Sequence, residues 1–239
     1  MRNFIIIGCA LMLAACPSVP KPKLTGGMGA VVGKIETRAH KEMIKKAKSD
    51  EGFGGYGPTP DGKIKYSDKM VNYDKLDDIY VGLISPGASP NSATVVTATE
   101  DGLIPRAIAI GTGNRIRITN ATSTPLTFYV VDPNSDAIEE ISPLAPGASG
   151  EIPVPMEGLL EIAADERDDM VTAVLSRRGM QVRRVASGKY YSFADLPPGD
   201  YRLVFWYWRL GMLERRVLIE ADKVAEVNEY LSVDHLYKN

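Results

Sequence analysis

From residue 78 onward the apolar and polar positions alternate in short runs with a period of two. "DIYVGLIS", "ATVVTAT", "IPRAIAI", "NRIRITN" and "LTFYVVD" are separated by clusters of Pro, Gly, Asn and Ser, and "GEIPVP", "LLEIAA" and "MVTAVLS" continue the series. Strands at this spacing predict an all-β sandwich or barrel. "NRIRITN" is the clearest run, with Ile116 and Ile118 expected to face a core and Arg115 and Arg117 to face water. After residue 177 a second group follows: "MQVRRVA", "YYSFADLPPGDYRLVFWYWR", "RRVLIEA" and "AEVNEYLSV". Its turn from Asp195 to Asp200 feeds a long strand, because Pro presets φ and Gly permits positive φ. About sixty residues bury only a modest core, so this unit is expected to pack on the first rather than move freely.

Upstream the pattern is weaker. "AVVGKIETR" reads as a first strand, and the stretch from about 40 to 75 reads as a short basic helix running into a loop rich in Gly, Pro and Tyr. Lysines 41, 45, 46 and 48 fit either a solvated helix face or attraction to anionic headgroups. "PSVPKPKLTGGMG", from Pro17 to Gly29, reads as a tether. Before it, Arg2 and the apolar "FIIIGCALMLAA" end at Cys16. That stretch is too short to span a bilayer comfortably and has the form of an export signal. Leu13-Ala14-Ala15-Cys16 resembles a bacterial lipobox, which implies cleavage before Cys16 and acylation of that residue with palmitate-type chains. The alternative is an ordinary secretory signal in which Cys16 is incidental. The expected location is the bacterial cell envelope, lipid-anchored, by preference on the periplasmic side of the outer membrane, with the inner membrane left open as the alternative.

Cysteine usage then narrows the chemistry. The chain has two Cys. Cys9 would leave with the signal and Cys16 would carry lipid, so the mature chain is expected to have no disulfide, thiolate ligand or thiol nucleophile. Net charge is −2, and loss of residues 1–15, which hold one Arg, makes it −3. A balance this close to neutral argues against nucleic acid as a partner.

The order of weak motifs resembles a known pairing: a cupredoxin-like (plastocyanin-like) sandwich of the methylamine-utilisation accessory group, followed by a carboxypeptidase-regulatory-like (transthyretin-like) β domain. The resemblance rests on "LIPRAIAIGTGNRIRITNATSTPLTFYVV", "LAPGASGEIPVPMEGLLEIAADERDDM" and "FADLPPGDYRLVFWYWRLGMLERRVLI", and covers roughly residues 28 to 235. It implies a cupredoxin-like Greek-key sandwich with a second, smaller β-sandwich: residues 1–15 a signal, 16–28 a tether, 29–177 the first domain with its loop insertion, and 178–239 the second. It also implies a copper site of one thiolate, two imidazoles and an axial thioether. Carried over, those positions fall at Leu126 (or Thr127), Ala164, Arg167 and Met170, and only the methionine is a ligand type. The chain's two histidines, His40 and His235, lie outside the motifs. No copper and no other cofactor is expected.

Other chemistry is sparse. Asp165, Glu166, Asp168 and Asp169 offer hard oxygens, yet the run lacks the spacing of a dedicated calcium loop. Met170 reads as a core residue at the start of a strand. No Ser-His or Cys-His base lies within the sandwich, Glu139 and Glu140 would point to opposite faces of a strand, and no phosphate loop or dinucleotide fingerprint occurs. The chain is not expected to be an enzyme. Strict alternation in "VFWYWRLGM" puts Phe205 and Tyr207 on one face and Trp206 and Trp208 on the other. One face has two readings, packing between domains or a platform for a protein or glycan partner. The functional expectation is a binding or scaffolding module for another envelope component; a copper-handling or electron-transfer protein is the alternative, and a carbohydrate-active protein comes last.

Overall fold

The first strand finds its partners at the far end of the chain. In the computed structural model, which describes residues 19–38, 73, 76–85, 94–132 and 138–235, strand β1 (Gly29–Thr37) lies mid-sheet. It pairs antiparallel with β13 (Lys189–Leu196) and parallel with β16 (Val224–Glu226) and β17 (Glu229–Leu231). Facing it is a second sheet in the order β12 (Met180–Val185), β2 (Ile79–Ile84), β14 (Gly199–Tyr207) and β15 (Gly211–Ile219). Val31, Ile35, Leu83, Phe193, Leu203, Phe205 and Ile219 fill the space between them. We call this the outer sandwich.

The inner sandwich is threaded between β2 and β12. One sheet has the order β4 (Gly102–Ile104), β3 (Thr94–Thr99), β6 (Arg115–Asn120) and β9 (Ser149–Pro153). The other has the order β5 (Ala107–Gly111), β11 (Arg167–Arg177), β10 (Gly158–Ala164), β7 (Phe128–Val131) and β8 (Ile138–Glu140). Its dry core includes Val96, Ile108, Ile116, Ile118, Phe128, Ile162 and Val174. Ile116 and Ile118 are buried as the alternation requires, while Arg115 and Arg117 lie outside on Glu151 at 3.2 Å each. The class is all-β and the architecture a pair of sandwiches, as the period of two predicts.

The partition of the chain differs from the contiguous domains 29–177 and 178–239. Residues 29–37 and 79–84 hydrogen-bond into the sheets built from residues 180–231 and not into the inner sandwich. The physical reason is core size. A sheet pair made from the last sixty residues alone would lack its middle strands, and β1 and β2 supply them. The inner sandwich leaves and rejoins the outer one side by side: Ser85 N–H donates to the Gly179 carbonyl at 3.1 Å. Gly179 has φ +65°, and a Cβ there would stand 2.6 Å from the Ser85 carbonyl oxygen.

Two glycines let the outer sandwich close. A Cβ on Gly33 would collide with the Val227 carbonyl oxygen and lie 2.7 Å from the Tyr191 hydroxyl, which itself donates to that carbonyl at 2.6 Å. A Cβ on Gly82 would meet the Met180 side chain.

The sandwiches share a third apolar cluster. Tyr80, Met180, Val204 and Trp206 of the outer sandwich pack on Ala107, Ala109 and Leu175 of the inner one. Alanines on β5 leave room for the indole, and the Trp206 and Tyr80 rings sit 5.8 Å apart. Tyr80 Oη donates to the Ala107 carbonyl at 2.6 Å, and burial pushes its phenol up to about 12. Trp206→Ala removes the wedge from this interface and is expected to cost about 3–5 kcal/mol. Scanning calorimetry should then resolve two melting transitions where the native protein shows one.

Candidate functional site

The motif-derived metal positions converge at one end of the inner sandwich. β10 ends at Ala164, the two-residue turn of Asp165 and Glu166 follows, and β11 begins at Arg167. Ala164 pairs with Arg167 while Ala163 pairs with Val171, so residues 168–170 are looped out of the ladder. This bulge occupies the place expected for the ligand loop. Leu126 lies alongside: the Asp165 N–H donates to the Thr127 carbonyl at 3.0 Å, and Ala164 pairs with Phe128. The carry-over by motif therefore selected residues that the fold does bring together.

Their side chains do not fit copper. Leu126 and Met170 are fully buried, Ala164 nearly so, and all three belong to the apolar core. Two alkyl groups and a thioether provide no thiolate and no imidazole, and Arg167 adds a permanent cation. Among the described residues no group of three or more His, Cys, Asp or Glu is arranged to hold a metal ion. His235 sits beyond β17, where its Nδ1 accepts from the Ser232 N–H at 3.1 Å. His40, Cys16 and lysines 41, 45, 46 and 48 lie outside the described residues, as does most of the 40–75 loop.

Polar side chains cross-link the loops at this end. Arg167 grips Asp169 through two hydrogen bonds, Nε–Oδ1 at 3.0 Å and Nη2–Oδ2 at 2.6 Å. It also donates to the Glu100 carbonyl at 2.9 Å and to the Glu100 carboxylate at 3.4 Å. Glu100 accepts from Ser123 N–H at 2.9 Å and from Ser123 Oγ at 3.0 Å. Glu166 accepts from Thr127 N–H and Thr127 Oγ1, both at 2.8 Å. The β3–β4, β6–β7 and β10–β11 connections are thus tied together without a metal. The calcium reading has no free carboxylate set here, because Glu166 and Asp169 are already engaged.

Each bond leaves its mark on ionisation. Hydrogen bonds from Ser123 hold the Glu100 carboxyl below its usual range. The Arg167 guanidinium does the same to Asp169. For Glu166 partial burial works in the opposite direction, and the Thr127 donors outweigh it, so its carboxyl is also held low.

The aromatic strand is not a surface platform. β14 ends at Tyr207, so the alternation stops one residue before Trp208. Phe205 is fully buried in the outer core and Trp206 is 2% exposed between the sandwiches. Tyr207 is half-buried, and burial raises its phenol. Trp208 alone lies at the surface, on the turn into β15, with the Arg209 guanidinium 4.3 Å from its ring centre. Phe205 and Trp206 are thereby removed as partner-binding candidates, because each face of β14 already has a protein neighbour. Glu100 and Ser123 went unnoticed in the sequence, since nothing local marks a carboxylate whose partner lies on another loop.

No protein-family model and no curated protein matches the chain. Solved structures that resemble part of it include a purple cupredoxin from Nitrosopumilus maritimus, 19% identical with a TM-score of 0.31, over 35% of this chain and 98% of that one. An amicyanin variant in the Cu(I) form is 13% identical with a TM-score of 0.32, over 40% of this chain and 98% of that one. The copper-containing nitrite reductase (NirK) from Thermus scotoductus is 13% identical with a TM-score of 0.32, over 40% of this chain and 25% of that one. Similarity at this level says nothing about what this chain binds.

The lowered carboxylates set a direction for acid sensitivity. A carboxyl with a depressed folded-state pKa stabilises the fold above its unfolded value, near 4, and that contribution is lost as pH falls through the folded value. Melting temperature is expected to be flat above about pH 5 and to drop on acidification. Glu166→Gln should lower stability at neutral pH and flatten the acid limb, as read by circular dichroism melts across pH.

Proposed function

We propose that this chain is a lipid-anchored protein of a bacterial envelope that acts by binding another envelope component, without copper redox chemistry and without catalysis. One observation carries the reading against copper: the four corner positions hold Leu126, Ala164 and Met170 in a dry core and Arg167 in ion pairs. The corner offers a redox metal no thiolate or imidazole, and it is filled by side chains of the protein. The frame then serves as a scaffold whose loops are fixed by Glu100, Glu166 and Arg167. Anchoring rests on the lipobox-like sequence ending at Cys16 and on the Pro- and Gly-rich tether after it.

Metal content and visible absorption of the purified chain, after incubation with Cu(I) and Cu(II), test the absence of a copper role. The expected outcome is substoichiometric copper and no intense charge-transfer band. Stoichiometric copper with such a band would overturn the proposal. For the anchor, cells fed labelled palmitate should label the native chain and not the Cys16→Ala variant, which should leave the membrane fraction or stay unprocessed. Unchanged labelling and retention of that variant would remove Cys16 from the account.

A further inference from the structure

The face of β1 that points away from the outer core carries a row of charges at its far end. Val31 and Ile35 are buried in that core, so Lys34 and Glu36 point to the other side, and Arg38 follows them just past the strand. The register puts Tyr190 of β13 beside Lys34 and Tyr230 of β17 beside Glu36, on the same face. Both tyrosines are exposed, and the Arg38 guanidinium lies 4.5 Å from the Tyr230 ring centre. With strands about 4.8 Å apart and a rise of roughly 3.3 Å per residue, the two tyrosine backbones stand about 12 Å from each other.

Between this end of β1 and the turn into β13 lies a cleft of about 340 Å³, lined by Lys34, Glu36, Thr37, Arg38, Ser187 and Gly188. It has the size of a small ligand pocket and, unlike most, a polar lining. Gly188 has φ +76° and nothing within 4 Å of where a Cβ would stand, so the turn presents bare backbone. Lys34 Nζ donates to Glu36 Oε1 at 2.7 Å, and Arg38 donates to Glu36 Oε2 through Nη2 at 2.8 Å and Nε at 3.3 Å. These bonds hold the Glu36 carboxyl below its usual range, so the whole row is ionised at neutral pH. They use one of the three N–H groups of the lysine and two of the five of the arginine. Among the described residues the row therefore has one cation in excess and a surplus of unspent donors.

We infer that this cleft binds a saccharide that carries a carboxylate. Sugar hydroxyls accept from the unspent N–H groups of Lys34 and Arg38, and the sugar carboxylate answers the excess cation in a charge-assisted pair with the Arg38 guanidinium. Tyr190 offers the apolar C–H face of the sugar an exposed ring with a polar tip. A neutral sugar leaves the excess cation unanswered. A small anion alone has to compete with Glu36 and gains nothing from the tyrosine. The inference gives a ligand class to the binding role proposed above, places it in the outer sandwich rather than at the cross-linked corner, and does not depend on lipid at Cys16.

Titration calorimetry of the chain beginning at Cys16, which contains every described residue, tests this with trigalacturonate as the probe. The methyl ester of the same trisaccharide and sodium acetate are the comparison ligands. Trigalacturonate is expected to saturate a single site, with the ester about tenfold weaker. Arg38→Gln should bring trigalacturonate down to the level of its ester and affect the ester less, while Tyr190→Ala should weaken both about tenfold. Both side chains are exposed, and circular dichroism melts check that the variants fold. No saturable binding of trigalacturonate, equal binding of its ester, or displacement by an equal concentration of acetate overturns the inference. So does trigalacturonate binding that both variants leave unchanged, which would put the sugar elsewhere on the protein. Copper content and palmitate labelling report on the earlier proposals, so this measurement stands or falls separately from them.

Discussion

Everything in the outer sandwich depends on β1 having neighbours on both edges, and that depends on one missing side chain. Gly33 lets the Val227 carbonyl come within contact of the β1 backbone, and the Tyr191 hydroxyl then closes on the same carbonyl at 2.6 Å. Any Cβ there would drive β17 off the sheet and leave Tyr191 a buried donor without its acceptor, a loss of the kind that costs about 1–3 kcal/mol by itself. With β1 in place, β2 and β14 can cover it, and the opposite face of β14 is free to receive the inner sandwich through Trp206. The two cores are therefore linked in series through the face that β2, β12 and β14 present to β5 and β11.

At the far corner the energetics are of a different kind. Exposed ion pairs add little to stability because water screens them, and Glu100 and Asp169 are largely in water. The apolar filling of Leu126, Ala164 and Met170 stabilises the corner, while the polar ties fix its geometry. A charge-assisted grip by Arg167 on a neighbouring residue and on a second loop gives direction to connections that would otherwise be independent.

Much of the local structure was legible in the sequence because burial imposes its period residue by residue. The runs around Ile116, Ile162 and Leu203 alternate, and they are strands. The short β4 and β8 escaped notice, since three residues carry too little period to read. The threading was not legible: β1 pairs with strands some 150 to 200 positions away, and no local pattern encodes a partner at that distance. One clue was present in "AVVGKIE", where a glycine inside an apolar strand marks a close backbone approach. The aromatic run misled for a related reason. Alternation holds only while the strand lasts, and β14 stops at Tyr207. At the corner, the motif picked positions that the fold gathers together, but the pairing of Glu100 with Arg167 depends on how loops fold back.

The side-by-side departure and return of the inner sandwich sets the order in which the chain can become a protein. β1 and β2 leave the ribosome first, and their partners follow only after the whole inner sandwich has been made. Because Ser85 and Gly179 end up hydrogen-bonded, a folded inner sandwich shortens the effective loop between β2 and β12 from about ninety residues to a few, and loop-closure entropy falls accordingly. Until then "AVVG" and "IYVGLI" are apolar strands without a sheet, the form of chain most prone to pair with a stranger. A folded inner sandwich therefore favours closure of the outer one by holding β2 and β12 side by side.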